Sequence, residues 1–527
     1  MFPKKLLMNN KFFKLIYVAA LTSGSLLLSC NKEGLTDLNK PLNAVDYPIP
    51  ANMFTAALLN TPRDNYSVLA EGMQYFSTYK EVPAIGDKFY SFNGTEADFN
   101  AYYTVRLNLL KQLEDAIQDP SLSNERAMVR ILRAYTYHQL TDIAGDIPYF
   151  DAVKGDEEGI LAPKYDTQRD IYLDLFKELD EAATALDPAN SNFGSADLFY
   201  QGDVTKWKKF AYTLMLRLGM RLTKVEPELA ETWVKKAIEG GVMLSDDDMA
   251  KIQYANVSGG MNLKIQNSWL NGNYLNPQDP DNVEGGKYAA TFLNKLKSTN
   301  DPRLPVISVV WQKPAGETQY VANNDPAVQR GMISGSLNTK PGDFDTYSEP
   351  SPLVLNVAAP IIIMGPAESY LLLAEAALRG WYTGMTAEEA YNLGVKAGMT
   401  QWAQWTAVAP SNNIISQQQI DDYLAANPYL SGGSFEDQFK QINEQKWLSM
   451  FGDDYEVYAN WRRTGYPELM PVNYPGNVTG GKMFRRFSIP ISENLTNQAN
   501  YLEALQRQGF SESTGDNLLT RVWWDKP

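Results

Sequence analysis

Helical patterns of apolar residues recur along most of this chain and limit the folds that it can adopt. In residues 124–140, apolar side chains follow one another at the spacing i, i+3, i+4 and i+7, which places them on one face of a helix. These side chains are Met128, Ile131, Leu132 and Tyr135. Comparable patterns occupy residues 167–186 and 205–222. The chain is therefore predicted to be mainly α-helical, with each helix burying one face.

The helices are predicted to form four consecutive pairs that resemble tetratricopeptide repeats. The pairs span residues 101–140, 167–222, 366–400 and 434–463. In the third pair, Thr386 and the acidic residues after it form a capping-box pattern that begins the second helix. Small residues in that helix would let two helix axes lie close together, as tandem helix pairs require. They are Ala390, Gly394, Ala397 and Gly398.

The stretch 441–467, QINEQKWLSMFGDDYEVYANWRRTGYP, is predicted to contain the end of one helix and the whole of the next. The first helix begins at Ser434, with Asp437 three residues later in a pattern close to a capping box. Two arginines, a glycine and a proline end the second helix. We expect Trp447 and Trp461 to be buried in the core, and the arginines to pair with carboxylates.

Residues 254–365 have a different composition, rich in Asn, Gly, Pro, Asp and Ser, with only short apolar runs. This composition predicts a loop-rich insert with a few short strands, among them residues 304–311 and 353–357. Loops that a rigid scaffold holds in place often carry binding residues. The insert is therefore a candidate ligand surface.

Two segments, 75–93 and 269–320, combine large aromatic residues with polar, loop-forming neighbours. Sugar rings stack on aromatic faces, while amides and carboxylates bind their hydroxyl groups. The alternative is that these aromatic residues fix the loops to the helices. The predicted ligand contacts are Tyr75, Tyr79, Tyr90, Trp269, Tyr274, Trp311 and Tyr320, with Asp87 and Asn93 as hydroxyl partners.

The composition excludes several classes of function. The chain has one histidine, His138, which lies in a helical pattern. A Ser-His or Cys-His site and most metal-hydrolase sites need histidines that this chain does not offer. The acidic run 246–248 lacks the alternating ligands and the glycine of an EF-hand loop. We predict no metal, no cofactor and no catalytic residues. The formal net charge of −15 disfavours nucleic acid as a partner.

Residues 1–29 have the pattern of a bacterial lipoprotein signal peptide. Four lysines precede a short apolar segment that ends in the sequence LLSC. Cys30, the only cysteine, is predicted to begin the mature chain and to carry the lipid. The alternative is an ordinary secretory signal followed by an incidental cysteine. Residues 30–50 are predicted to form a polar tether, and residues 51–527, which contain no clean linker, a single domain.

Several segments resemble the SusD/RagB family, the nutrient-binding outer-membrane lipoproteins of Bacteroidetes. In the 441–467 stretch the resemblance rests on QKW-x3-F and WRRTGYP, and after it on RRFSIP at 485–490. AYNLGVKAGMTQW at 390–402 is typical of the branch called SusD-like type 2. Three further segments are similar to the family: LRAYTYHQLTDIAGDIPYFDA at 132–152, KWKKFAYTLMLRLGMR at 206–221 and ESYLLLAEAALRG at 368–380.

The resemblance implies tetratricopeptide-like helix pairs packed against a loop-rich region with a few short strands. It implies a binding protein, without catalysis or cofactor, whose oligosaccharide or peptide ligand contacts about the two aromatic segments. A SusC-like TonB-dependent transporter in the outer membrane would be the partner. Lys32 and Glu33 weakly resemble the export signal of lipoproteins that face the cell exterior. The alternatives are a peptide-binding helical scaffold and a surface glycoside hydrolase, although no carboxylate pair stands out for hydrolysis.

Overall fold

The computed structural model describes residues 48–62, 66–79, 88, 99–255, 266–267, 287–336, 339–405, 414–510 and 518–527. Residues from Pro50 to Pro527 belong to one compact unit. The predicted signal peptide, Cys30 and most of the predicted tether lie outside the described residues. Among the residues that are described, no helix is both long enough and apolar enough to span a membrane.

Helices form most of the ordered structure, which confirms the mainly α fold. The α-helices are α1 (Pro50–Leu59), α2 (Asn108–Ala116), α3 (Ser123–Ala144), α4 (Gly155–Glu158), α5 (Gln168–Ala185), α6 (Val204–Arg221), α7 (Pro227–Gly240), α8 (Ala290–Ser298), α9 (Leu304–Ile307), α10 (Pro366–Leu378), α11 (Ala387–Thr400), α12 (Gln417–Ala426), α13 (Phe435–Ser449), α14 (Asp454–Thr464), α15 (Glu493–Thr496) and α16 (Gln498–Arg507). There are π-helical segments at Tyr66–Ala70 and Ala101–Leu107, and 3-10 helices at Gly194–Ala196, Asp246–Asp248, Phe344–Thr346 and Gln401–Trp405.

The strands are short and form small antiparallel sheets. They are β1 (Phe76–Ser77), β2 (Ile147–Pro148), β3 (Tyr165–Asp166), β4 (Ala250–Ile252), β5 (Lys287–Tyr288), β6 (Ser308–Gln312), β7 (Val321–Asn323), β8 (Glu349–Pro350) and β9 (Ile361–Met364). Two-stranded sheets pair β1 with β5, β2 with β3, and β4 with β9, and a three-stranded sheet has the order β7-β6-β8.

The predicted strands of the insert are correct only in part. The run 304–311 begins as α9 and continues as β6. The run 353–357 forms turns and not a strand. There the backbone N–H of Leu355 donates to the carbonyl of Ser351, and Pro352 lacks the N–H that a strand ladder would use.

In the first half of the chain, helices contact neighbours both inside and outside their predicted pairs. α10 and α11 pack as predicted, and Gly394 permits their close approach, because a Cβ there would lie 2.7 Å from Leu371 Cγ. α2 contacts α3, and α5 contacts α6, within their predicted pairs, but α3 packs most extensively against α5, and α6 against α7. The segment with β2 and β3 returns the chain from α3 to α5, which belong to different predicted pairs. Tandem helix packing therefore continues beyond the predicted pairs.

The two C-terminal helices match their prediction closely. Ser434 Oγ accepts from the backbone N–H of Asp437, and the Asp437 carboxylate accepts from the N–H of Ser434, both at 3.1 Å. Trp447 and Trp461 are 3% and 8% exposed. Gly465 ends α14 with a φ of 85°, a left-handed conformation that glycine adopts without strain. The capping box and the burial of both tryptophans are confirmed.

A buried charge cluster joins α3, α6, α10, α13 and α14. Its members are Arg217, Arg221, Lys446, Asp142, Glu368, Asp453 and Glu456. Arg217 donates to both oxygens of Glu368, at 2.6 and 2.9 Å. The cluster fixes the helices relative to one another through bonds that depend strongly on orientation.

The expected arginine–carboxylate pairing holds for one of the two arginines that end α14. Arg463 donates to both oxygens of Glu375 at 2.7 Å. Arg462 is equally buried but donates to the backbone carbonyl of Arg485 at 3.0 Å. Its guanidinium lies 4.0 Å from the ring centre of Tyr458 and 4.6 Å from that of Trp524. For Arg462, aromatic rings therefore replace the predicted carboxylate.

Candidate functional site

The three-stranded sheet of the insert forms one wall of an open cleft. β6 is the central strand, with Trp311 opposite Ala322 of β7 and Val309 opposite Glu349 of β8. Because side chains alternate along a strand, Trp311 lies on the same face as Val309 and Glu349. β6 is buried where it begins and exposed at Gln312, where it ends. The strand thus carries a large aromatic residue from the interior to the surface.

We name this cleft the strand cleft. Its volume is about 590 Å³, which is within the usual range for small-ligand sites. Its lining comes from the end of β6, from the residue before β7 and from the 3-10 helix Phe344–Thr346. The residues that provide its aromatic and polar surface are Trp311, Gln312, Lys313, Tyr320, Asp345 and Thr346. Trp311 and Tyr320 are both half-buried, so each presents part of its ring to the solvent.

The buried end of Trp311 lies near an internal ion pair. Glu349 bonds to Lys287 of β5, and both side chains are almost fully buried. Burial raises the pKa of Glu349, and Lys287 and the Trp311 indole N–H oppose that rise. The indole N–H nevertheless makes no hydrogen bond of regular geometry. The N–H end of the ring therefore faces the interior, and the exposed part of the ring is carbon surface.

Gln329 ties the strands of this wall together. Its side-chain oxygen accepts from Ser308 Oγ at 2.7 Å and from Ser348 Oγ at 2.8 Å. Its amide nitrogen donates to the carbonyl of Asn323 at 2.9 Å and to that of Asp325 at 3.1 Å. One buried amide thus connects β6, β7 and the residue before β8. The wall is fixed before any ligand arrives, which lowers the entropy cost of binding.

The 3-10 helix on the other side of the cleft is also held firmly. Phe344 is fully buried, with Lys287 Nζ 4.4 Å from its ring centre. The ring of Tyr79 meets Phe344 edge-on at 5.0 Å. Arg330 donates to Asp343 at 2.5 Å and to Thr346 Oγ1 at 3.0 Å, and this contact lowers the pKa of Asp343. Asp345 and Thr346 therefore line the cleft from a 3-10 helix that these contacts hold in place.

The chemistry of the strand cleft suits binding through stacking and hydrogen bonds. Trp311 and Tyr320 supply ring surface, Lys313 donates, and Gln312 and Thr346 can donate or accept. Nowhere in the described part of the chain do three or more His, Cys, Asp or Glu side chains form a group that could hold a metal ion. The side chains that line the strand cleft therefore match a ligand with apolar faces and several hydroxyl or amide groups.

The structure brings together three of the residues that the sequence predicted. Trp311 and Tyr320 line the strand cleft, and Tyr79 packs behind it against Phe344. Tyr75, in contrast, is fully buried. It therefore belongs to the core and not to the predicted ligand surface. The remaining predicted contacts, Asp87, Tyr90, Asn93, Trp269 and Tyr274, lie outside the described residues.

The core position of Tyr75 has a clear cause. Its ring stacks on Trp447 at 5.3 Å, and its hydroxyl donates to the Trp447 carbonyl at 2.6 Å. These partners are 372 residues apart in sequence, so the polar neighbours of Tyr75 gave no sign of them.

Sequence reasoning also missed part of the strand cleft. Gln312, Lys313, Asp345 and Thr346 line it, and Gln329 positions its strands. The first two directly follow Trp311, so their proximity could have been inferred from the predicted strand. Asp345 and Thr346 gave no such signal, because only tertiary packing brings their turn to β6.

The comparisons with known proteins agree on one family. The family model SusD-like_2, described as "Starch-binding associating with outer membrane", matches residues 43–490. Among the curated proteins, none matches this chain.

Three solved structures illustrate the similarity. A chitin-binding protein is 30% identical, with a TM-score of 0.75, and the match covers 91% of this chain and 100% of that one. A chitin-binding SusD homolog from Flavobacterium johnsoniae is 26% identical, with a TM-score of 0.71 and coverage of 90% and 98%. A SusD-like protein of Bacteroidetes is 26% identical, with a TM-score of 0.80 and coverage of 91% and 100%.

Proposed function

The chain belongs to the SusD-like family of outer-membrane-associated proteins, and we propose from this that it binds a glycan in the strand cleft. The homologues are binding proteins, and the cleft offers ring surfaces and hydrogen-bonding groups without a nucleophile–histidine pair. The bound glycan would pass to a SusC-like TonB-dependent transporter. In this pairing the protein acts as the capture component and the transporter as the channel.

One observation carries the proposal: Trp311 and Tyr320 stand half-exposed in one cleft, among polar side chains that a braced framework holds. Elsewhere in the part of the chain that the structure describes, the large aromatic residues pack mostly into or against the core. Stacking of a sugar ring on such a surface contributes about 0.5–1.5 kcal/mol per contact, by analogy with aromatic pairs. Two stacking contacts, about 1–3 kcal/mol, and a few hydrogen bonds of about 1 kcal/mol each would give an oligosaccharide a Kd in roughly the millimolar range.

The class of glycan follows from the relatives. Two similar proteins are described as chitin-binding, at 30% and 26% identity, and the family description names starch. Among its described residues, the cleft lining has one basic residue, Lys313, and one acidic residue, Asp345, which favours an uncharged ligand. We therefore place neutral chito-oligosaccharides first and malto-oligosaccharides second.

The test is isothermal titration calorimetry of the soluble chain against a panel. The panel holds chito-, malto- and cello-oligosaccharides of two to six units, together with neutral peptides of similar size. We expect heat of binding with at least one neutral glycan series and none with the peptides. Binding of peptides alone would favour a peptide-binding scaffold, and release of reducing ends during incubation would favour a hydrolase. Both results would contradict the proposal.

Attachment to the outer membrane is a further part of the proposal. Cys30 would carry the lipid after removal of residues 1–29, and the protein would face the cell exterior. We expect Cys30→Ala to move the protein from the membrane fraction to the soluble fraction, or to leave it unprocessed. A Cys30→Ala protein that is still labelled with lipid and bound to the membrane would refute the anchoring.

A further inference from the structure

A second cavity lies where β9, the start of α10, the 3-10 helix Gln401–Trp405 and the turn between α13 and α14 meet. It has a volume of about 60 Å³ and shares no residue with the strand cleft. Such a volume holds a few water molecules or a small organic group. Its walls are mainly apolar, and β9 provides Ile361, Ile362 and Ile363. We name it the tryptophan cavity after Trp402 and Trp405.

Aromatic rings supply much of its wall. The rings of Trp402 and Trp405 lie 4.6 Å apart with an angle of 34° between their planes. Phe451 lies 6.5 Å from Trp402. The indole N–H groups of both tryptophans are buried and make no hydrogen bond. Because these N–H groups are buried, the rings contribute mainly carbon surface, and an aromatic ring can hold a cation over its electron-rich face.

Among the described residues, the charged ones that line the tryptophan cavity are both acidic. They are Glu368 and Asp453, and both belong to the buried charge cluster. Glu368 is held by Arg217 at 2.6 Å and is almost fully buried. Asp453 lies 3.4 Å from the same arginine, and its side chain is 15% exposed. Asp453 is thus the more weakly paired and the more accessible of the two.

Asp453 shares its arginine with a second carboxylate of the cluster. Arg217 lies 2.6 Å from Glu368 and 3.4 Å from Asp453. Glu368 has a second cation in Lys446, and Glu456 bonds to both Arg221 and Lys446. Asp142 lies 3.3 Å from Arg221, and Arg462 also lowers its pKa. Within the described part of the cluster, Asp453 therefore has one shared cation, whereas each of the other three carboxylates has two.

Proton uptake is one way in which Asp453 can compensate for having a single, shared cation. Burial raises the pKa of Asp453 to about 7, with Arg217 opposing the rise and Glu456 and Glu368 adding to it. Tyr75 of the core and Tyr135 of α3 are near enough for Asp453 to raise their pKa values further. His138, 3.5 Å from Arg217, has its pKa lowered by burial and by Arg217 and stays neutral.

From the aromatic walls, the acidic lining and the single shared cation of Asp453, we propose that the tryptophan cavity binds a small organic ammonium group. The ammonium would lie between the tryptophan rings and the Asp453 carboxylate and would give Asp453 a second cation. A primary amine on a short carbon frame fits the volume. This proposal does not depend on glycan binding in the strand cleft.

Other occupants fit less well. A calcium ion takes six to eight oxygen ligands, whereas most of this wall is hydrocarbon. An anion would meet two carboxylates and, among the described lining residues, no cation. An uncharged alcohol would fill the space but would give Asp453 no second cation. The cavity therefore selects for positive charge combined with apolar surface.

The direct test is calorimetry with n-propylammonium chloride, and with n-propanol as the uncharged control of equal size. We expect the ammonium to bind and the alcohol to bind at least tenfold more weakly. Ionised Asp453 favours the cation, and its ionised fraction rises with pH. Affinity for the ammonium should therefore increase about tenfold from pH 6 to pH 8. Equal binding of both probes, no binding of either, or an affinity that does not rise with pH would overturn the proposal.

Substitutions in the cavity wall test whether the ammonium binds in the tryptophan cavity. Asp453→Asn keeps a side-chain oxygen that can accept from the backbone N–H of Glu456 but removes the charge. It should weaken ammonium binding at least tenfold and remove the dependence on pH. Trp405→Leu should also weaken binding, and Trp405→Phe should restore much of it. Asp345→Asn, in the strand cleft, is the matched control and should bind as the parent does. If Asp453→Asn binds the ammonium like the parent protein, the assignment is wrong.

Discussion

The buried charge cluster and the strand cleft contain similar kinds of side chain but use them differently. In the cluster, Arg217 and Glu368 satisfy each other at 1% and 2% exposure. In the cleft, Gln312 and Lys313 remain exposed, although Gln329 and Arg330 hold the backbone around them. Polar groups that are paired internally stabilise the fold, whereas exposed polar groups on a fixed framework are available to a ligand.

The same contrast separates two tryptophans. Trp447 is almost fully buried, stacks on Tyr75 and donates its N–H to the carbonyl of Met73 at 3.2 Å. Trp311 is half-buried, and its indole N–H is buried without a hydrogen bond. Replacement of the first should therefore affect stability, and replacement of the second should affect binding.

The largest effect is expected from Arg217. Arg217→Ala leaves Glu368 buried without its main partner, which should lower the free energy of unfolding by about 3–5 kcal/mol. The control is Arg169→Ala, which removes an exposed ion pair with Glu226 and should cost at most about 1 kcal/mol. Denaturant unfolding measures both. Equal losses in the two variants would show that burial of the cluster does not matter.

Substitution of Trp447 tests the difference between a buried tryptophan and a half-buried one. Trp447→Ala should lower the free energy of unfolding by about 3–5 kcal/mol, because it removes a large buried ring and leaves a cavity. Trp311→Ala should cost clearly less, since part of the Trp311 side chain is already exposed to solvent. Melting curves of both variants check this. A larger loss for Trp311→Ala would mean that Trp311 serves the core and not the cleft.

A smaller effect on the free energy of unfolding is expected when a fall in pH protonates Glu375. Burial would raise the pKa of Glu375, but Arg463 and Arg379 outweigh it and lower the pKa to about 2. The unfolded value is 4.5, so the carboxylate stabilises the fold above that pH. This contribution, about 3 kcal/mol, should disappear as the pH falls from 4.5 towards 2.

The measurement is the free energy of unfolding of Glu375→Gln and of the parent across this pH range. The difference between them should be large at pH 6 and should shrink below pH 4. A difference that stays constant with pH would exclude the ion pair with Arg463 as its source.

Local signals in the sequence were enough to predict most of the helices. Thr386 and Ser434 cap α11 and α13 as expected, because a capping box depends on residues three positions apart. The stacking partners of the helices were harder to predict. The packing of α3 against α5 depends on the path of the segment between them, which no local pattern encodes.

The strand cleft was predictable to the extent that its contacts are local. Trp311 and Tyr320 are nine residues apart, and the pairing of β6 with β7 brings them together. Asp345 joins them only through tertiary packing, so the sequence gave no indication of it. Tyr75 failed as a predicted contact for the same reason, since its partner Trp447 lies far along the chain.

The most direct test compares binding and stability in one set of variants. Trp311→Ala and Tyr320→Ala should each weaken binding of the preferred oligosaccharide about tenfold, a loss of about 1–2 kcal/mol, with melting temperatures close to that of the parent. Trp381→Ala, which removes a half-buried ring outside the strand cleft, should bind as the parent does. If the oligosaccharide binds and both cleft variants retain full affinity, the ligand does not bind in the strand cleft.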